Sequence, residues 1–147
     1  MRPTRHGGCL CGATRYQASG EPVAVALCHC SMCRRSAGAP AVAWAMFAQD
    51  QLELTAGEIA SYASSPGARR GFCPRSGTQL MFEADFLPGL VDVTVGSMDD
   101  PESLAPRMHI WDSRRFVLQS SPLPCRLMVT YIQTVCKVAP ARDTGSS

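Results

Sequence analysis

Six of the eight cysteines in this chain crowd into three short stretches, and no other feature restricts its folding so tightly. The stretches are "CLC" (Cys9, Cys11), "CHCSMC" (Cys28, Cys30, Cys33) and "FCPRS" (Cys73). Such sequences spell a disulfide framework, a redox switch or a metal site, according to context. The N-terminus, "MRPTRHGGCLCG", has basic residues but no apolar run behind them, so a secretory signal is not expected and a cytoplasmic location is. Disulfides would be out of place there. Two cysteines two apart on extended backbone point the same way and present two thiolates to one ion, an arrangement that suits zinc. In "CHCSMC" the pair Cys28 and Cys30 shares a face, and a tight turn through Ser31 and Met32 brings Cys33 back as a third ligand. Three ligands with an open position describe a catalytic zinc. Free structural thiols and a redox C-x-x-C are the alternatives for that stretch. Cys9 and Cys11 become a metal site only if the fold delivers Cys73 to them from its turn rich in Pro and Gly. His29, between two cysteines that share a face, is expected on the opposite side, at the surface or supporting the ligands from behind. Cys125 and Cys136 have no His or Cys nearby and read as small core residues.

The rest of the chain sets the context for these thiols. With 147 residues it is one ordinary domain, residues 1–147, large enough to bury a core of its own. A net charge of +2 is too mild for a nucleic-acid binder, so no nucleic-acid partner is expected. The longest nearly apolar run, Ala39 to Ala48, reaches half of the ~20 residues a membrane helix needs, so no membrane partner is expected either. The strongest periodicity is two. Val42, Trp44 and Met46 alternate with alanines, Leu52 pairs with Leu54, Leu80 with Phe82, and Val91, Val93 and Val95 stand opposite Asp92 and Thr94. Turn signals ("TAGE", "SSPGAR", "PRSG", "LPGL", "DDPES") separate these runs closely, as in an all-β domain of short antiparallel strands. One helix is expected, Ser31 to Ala37, capped by Ser31 and ended by Gly38.

Four stretches together carry a resemblance: "GGCLCGATRY", "CHCSMCRRSAG", "GFCPRSGTQL" and "HIW" at His109 to Trp111. In order and spacing, over about residues 5–115, the chain resembles the family of glutathione-dependent formaldehyde-activating enzymes and centromere protein V. The resemblance implies an Mss4-like all-β fold built around two zinc-thiolate sites. It implies Cys9, Cys11 and Cys73 as ligands of a structural zinc and Cys28, Cys30 and Cys33 as ligands of a catalytic zinc. It further implies a carbon–sulfur lyase type of activity, with glutathione and formaldehyde, or a similar thiol and small aldehyde, as substrates. Arg34 and Arg35, directly after the second cysteine group, are the candidates to hold the carboxylates of such a thiol.

Two departures qualify that expectation. The family has a second cysteine where this chain has Ser76, and a neutral hydroxyl is a poor zinc donor, so the structural site should hold metal less tightly. Beyond Arg115 the resemblance ends; "LMVTYIQTV" reads as an added strand and "ARDTGSS" as a frayed terminus. The reading from a different class is a zinc-stabilised binding module without catalysis, marked by a second metal site closed by a fourth ligand such as His29 or His109.

Overall fold

A computed structural model describes residues 2–115, which lie within one compact unit, Met1–Phe116. Within it, β1 (Thr4–Gly8), β2 (Arg15–Ser19) and β5 (Leu52–Ala56) form a small sheet in the order β1-β2-β5. The large sheet contains β3 (Ala24–Cys28), β4 (Val42–Ala48), β6 (Ala60–Ser65), β7 (Ala68–Phe72), β8 (Gln79–Ala84), β9 (Leu90–Thr94) and β10 (Met108–Ile110). Its order is β10-β3-β4-β9-β8-β7-β6, antiparallel except for the parallel pair β10 and β3. The expected all-β class is therefore the one adopted. The strand expected at "LMVTYIQTV", the frayed terminus, Cys125, Cys136 and the far end of the single domain fall outside the described residues.

The alternation at Val42–Met46 does mark a strand, but its alanine face is not the shallow one. β4 lies between β3 and β9 with both edges paired, and each of its faces packs into a different cluster of buried residues. Ala45 and Phe47, each 0% exposed, enter the main core with Tyr16, Leu80 and Val93, while Trp44 joins a second cluster with Cys28, Cys33 and Val42. Full burial of a side chain such as Phe47 or Leu80 contributes on the order of 2 kcal/mol. Leu54 behaves differently. It sits on the edge strand β5 and its side chain remains exposed.

The only α-helix among the described residues, α1 (Ser31–Ala37), has the expected bounds and stops at Gly38 with φ of 61°. A left-handed residue of that kind is tolerated without strain by glycine. Its cap differs from expectation: the Cys30 Sγ, not the Ser31 hydroxyl, accepts the Cys33 amide at 3.2 Å. The helix thus begins on a thiol, which fixes Cys30 and Cys33 relative to each other. Among the described residues no helix is long and apolar enough to cross a membrane.

Candidate metal centres and the cavity beside them

The first cysteine group is made by two turns of the same construction. In one, the Cys9 amide donates to the Thr14 carbonyl (3.0 Å); in the other, the Cys73 amide donates to the Thr78 carbonyl (3.0 Å). Each turn carries a glycine with positive φ, Gly12 at 74° and Gly77 at 71°. The turns are tied together by the Leu10 amide, which donates to Thr78 Oγ1 at 3.0 Å. Their tips bring Cys9 Sγ to 3.5 Å from Cys11 Sγ, and Cys11 Sγ to 3.8 Å from Cys73 Sγ. The edge of a zinc-thiolate tetrahedron with bonds of about 2.3 Å is ~3.8 Å, so the donor set and its spacing fit that ion. The Thr14 amide also points at Cys9 Sγ at 3.2 Å, as a donor would toward a thiolate. Ser76 lies against this group: its hydroxyl, followed by Thr14, holds the Cys73 thiol down at about 5. Burial pushes the Cys9 thiol up, but the Thr14 amide and the Cys11 thiol outweigh it and leave the group below its usual range.

The second group comes from one continuous segment. Cys28 ends β3, Cys30 caps α1 and Cys33 lies in its first turn, and the three sulfurs lie within 4.8 Å of one another. The three thiols compete for protons. The Cys28 thiol, donating to Cys33, keeps its proton and titrates above its usual range, whereas Cys33 is drawn down to about 5, chiefly by Cys28 and further by Cys30 and Arg70. Such a cluster already favours thiolate, the form a metal requires.

All three of these thiols line a cavity of about 580 Å³. Its floor follows from strand register, since residues directly opposite in an antiparallel pair share a face. Ala24 is opposite Met46, Met46 opposite Asp92, Asp92 opposite Phe82, and Phe82 opposite Arg70, a row running across five strands. Arg70 is buried, with both terminal nitrogens 3.6 Å from Cys33 Sγ and its guanidinium 4.9 Å above the centre of the Phe82 ring. Asp92 faces the same space; burial first, then the negative charge of Cys33, pushes its carboxyl up to about 6. Neither residue is named by a sequence motif. Arg70 directly follows Arg69 in the sequence; alternation along β7, with Ala68 and Arg70 buried and Arg69 exposed, is the signal that separates the two.

His29 is 1% exposed, so it is not a surface histidine. Its Nε2 lies 2.9 Å from His109 Nδ1, the two rings stack at 5.2 Å, and Asp112 completes a separate group. Among the described residues the cysteine triad and this histidine group are therefore distinct sets, and neither histidine joins the thiols. Arg34 and Arg35 ride on α1 beyond Cys33 and are not among the residues lining the cavity; Arg35 is exposed.

Comparison with known proteins agrees with this geometry. An uncharacterized lyase of Schizosaccharomyces pombe is 34% identical over 80 residues, 54% of this chain and 58% of that protein, so the match spans less than two thirds of the relative. The crystal structure of a Rhodobacter sphaeroides protein from a structural genomics programme superposes with a TM-score of 0.59 at 23% identity, covering 71% of this chain and 99% of that one; it supports the fold. The family profile of glutathione-dependent formaldehyde-activating enzymes matches residues 4–114, the span that holds both cysteine triads and the cavity. The chain belongs to the glutathione-dependent formaldehyde-activating enzyme family.

Proposed function

We propose that this protein is a zinc-dependent enzyme of the carbon–sulfur lyase type, joining glutathione to formaldehyde or a related small aldehyde and catalysing the reverse cleavage. The observation that carries the reading is the second triad: three thiols with no fourth ligand grouped with them among the described residues, all lining one cavity. A site closed by His29 or His109 would instead have favoured a purely structural clamp, and those two histidines pair with each other. Cys9, Cys11 and Cys73 would hold a structural zinc, and Cys28, Cys30 and Cys33 a catalytic one. When bound at the second site, the ion supplies Lewis acidity and lowers the pKa of a thiol.

The chain's own residues supply the rest. In the addition, the thiol sulfur bonds to the carbonyl carbon, the carbonyl π bond opens, and the thiol proton ends on the carbonyl oxygen. Asp92, with its carboxyl raised to about 6, is suited to accept that proton and return it within the cavity. Arg70 balances the negative charge of the thiolates from beneath Cys33. Arg34 and Arg35, on the helix that follows, would hold the carboxylates of glutathione outside the cavity. The many reduced thiols suit a reducing compartment, and we place the protein in the cytoplasm with neither nucleic acid nor membrane as a partner.

The test is metal analysis of the purified protein together with the rate of S-hydroxymethylglutathione formation, followed by NMR exchange against the spontaneous reaction. One to two zinc ions per chain and a clear acceleration are expected. Zinc bound without glutathione affinity or acceleration would overturn the enzyme reading in favour of the clamp.

A further inference from the structure

We infer that the cavity beside Cys28, Cys30 and Cys33 is built for a carbonyl partner with a bulky apolar body, an aryl, cycloalkyl or branched alkyl aldehyde, rather than for formaldehyde. The inference rests on the lyase reading above and names the substrate class of that site. Three observations carry it. The first is size: the cavity holds about 580 Å³, whereas a one-carbon aldehyde displaces little more than one or two waters of about 30 Å³ each. The second is its lining. Trp44, Met46, Phe82, Met108, Ile110 and Trp111 line the cavity with large apolar side chains, and Met108, Ile110 and Trp111 remain 49%, 38% and 66% exposed. Apolar side chains gathered around one opening mark a binding site for apolar matter. The third is charge. Of the charged groups lining the cavity, Arg70 is committed to Cys33 and Phe82, Asp92 has the sign that repels a carboxylate, and Arg114 is an exposed guanidinium, so the interior offers little to a body with several charges.

Glutathione carries two carboxylates and an ammonium, and desolvating all three against walls whose one exposed cation is Arg114 would be costly. Its charged body therefore stays toward α1 and solvent, and the apolar interior is left for the substituent of the aldehyde. Trp111 adds a local sign of function. Among the described residues it is the only non-glycine with positive φ (56°), an unfavourable conformation for an aromatic residue, held at the opening of the cavity. The reaction needs no further reagent: the sulfur–carbon bond forms, the carbonyl π bond breaks, and the thiol proton passes to oxygen.

Both tryptophans of the chain, Trp44 and Trp111, line the cavity, so intrinsic fluorescence reports its occupancy. The experiment uses full-length, zinc-loaded protein. Acceleration over the uncatalysed addition of glutathione is measured for formaldehyde, glyoxylate, isobutyraldehyde and cyclohexanecarboxaldehyde, and fluorescence is titrated with cyclohexanemethanol, an unreactive probe. Acceleration should rise about ten-fold or more from formaldehyde to cyclohexanecarboxaldehyde. The probe should bind saturably, and Trp111→Gly, which keeps the backbone angle permissible, should weaken it about ten-fold while Trp44 still reports. Greater acceleration of formaldehyde or glyoxylate overturns the inference and leaves the lyase reading intact. Saturable probe binding, weakened by Trp111→Gly, with no aldehyde accelerated, supports an apolar cavity and removes the lyase reading. Absence of both overturns both.

Discussion

The two cysteine triads use the same ligand type and are opposites in construction. Cys9, Cys11 and Cys73 meet across a sequence separation of 62 residues at the tips of two matched turns, with Cys9 and Cys73 in the main core. A cleft beside that group touches only Cys73 of its three thiols. Cys28, Cys30 and Cys33 come from six consecutive positions, sit in a separate small cluster, and all line the large cavity. A metal at the first site ties distant segments together, so its binding energy is spent on the fold. A metal at the second ties together little that the chain has not already joined. What distinguishes it is its surroundings: a buried guanidinium, a raised carboxyl and an opening.

The sharpest way to break this contrast is to remove one thiol from each triad. Cys30→Ser should cost one zinc per chain and bring turnover down to the spontaneous rate with the fold retained. Cys73→Ser should cost the other zinc and on the order of 3 kcal/mol of stability. Metal analysis, urea unfolding and aldehyde turnover separate the two outcomes, and identical behaviour of the two variants would remove the distinction. Next in size is Arg70→Met. Loss of the cation under Cys33 should weaken chelator resistance of the second zinc about ten-fold and leave the first unchanged; equal weakening of both would mean that the variant acts through the fold.

Asp92 sharpens the comparison through pH. Its carboxyl is raised from 3.8 to about 6, first by burial and then by the charge of Cys33, so the folded state favours the neutral acid. Its contribution to stability is therefore full below about pH 4 and lost as pH rises through about 6. At pH 7 the ionised Asp92 is a cost. Asp92→Asn should accordingly add on the order of 2 kcal/mol at pH 7, add almost nothing at pH 4, and lower turnover. Urea unfolding at the two pH values checks this, and equal effects at both would show that burial does not act through this charge. The smallest effect concerns the first triad. Ser76→Cys, placing a fourth thiol beside Cys73, should slow zinc loss to chelator and raise Tm by roughly 3 °C, the shift that about 1 kcal/mol gives in a chain of this size. An unchanged Tm would place Ser76 outside the coordination sphere.

Much of the fold was readable because period-two alternation survives in β4 and β9, and because α1 ends at a glycine that permits left-handed backbone. In β8 it does not, since an irregularity in the pairing with β7 skips Leu80, which enters the main core while Phe82 packs against the second cluster. The polar strands β1, β6 and β7 carried weak signals. Their backbones are held by neighbours, not by an apolar face of their own. The Ser31 cap failed because the capping position is Cys30, one residue earlier, whose sulfur accepts the Cys33 amide. His29 was placed at the surface or behind the ligands on strand geometry alone; burial on His109 needs β10 beside β3, a pairing between segments about 80 residues apart.

By itself, the sequence determined the second triad, since six consecutive positions fix which sulfurs can meet; for the first group it supplied Cys9 and Cys11, and the delivery of Cys73 to them, which the family resemblance implied, depended on the fold. It also determined the all-β class, because alternation and turn residues act locally. Only the tertiary structure decided what surrounds the thiols. The row Met46, Asp92, Phe82 and Arg70 exists through the register of four strands, and register is a property of paired backbones that no single strand encodes. Burial is a relation of the same kind: Arg69 and Arg70 are identical side chains on one strand, and the sheet face each occupies makes one a solvated cation and the other the partner of a thiolate.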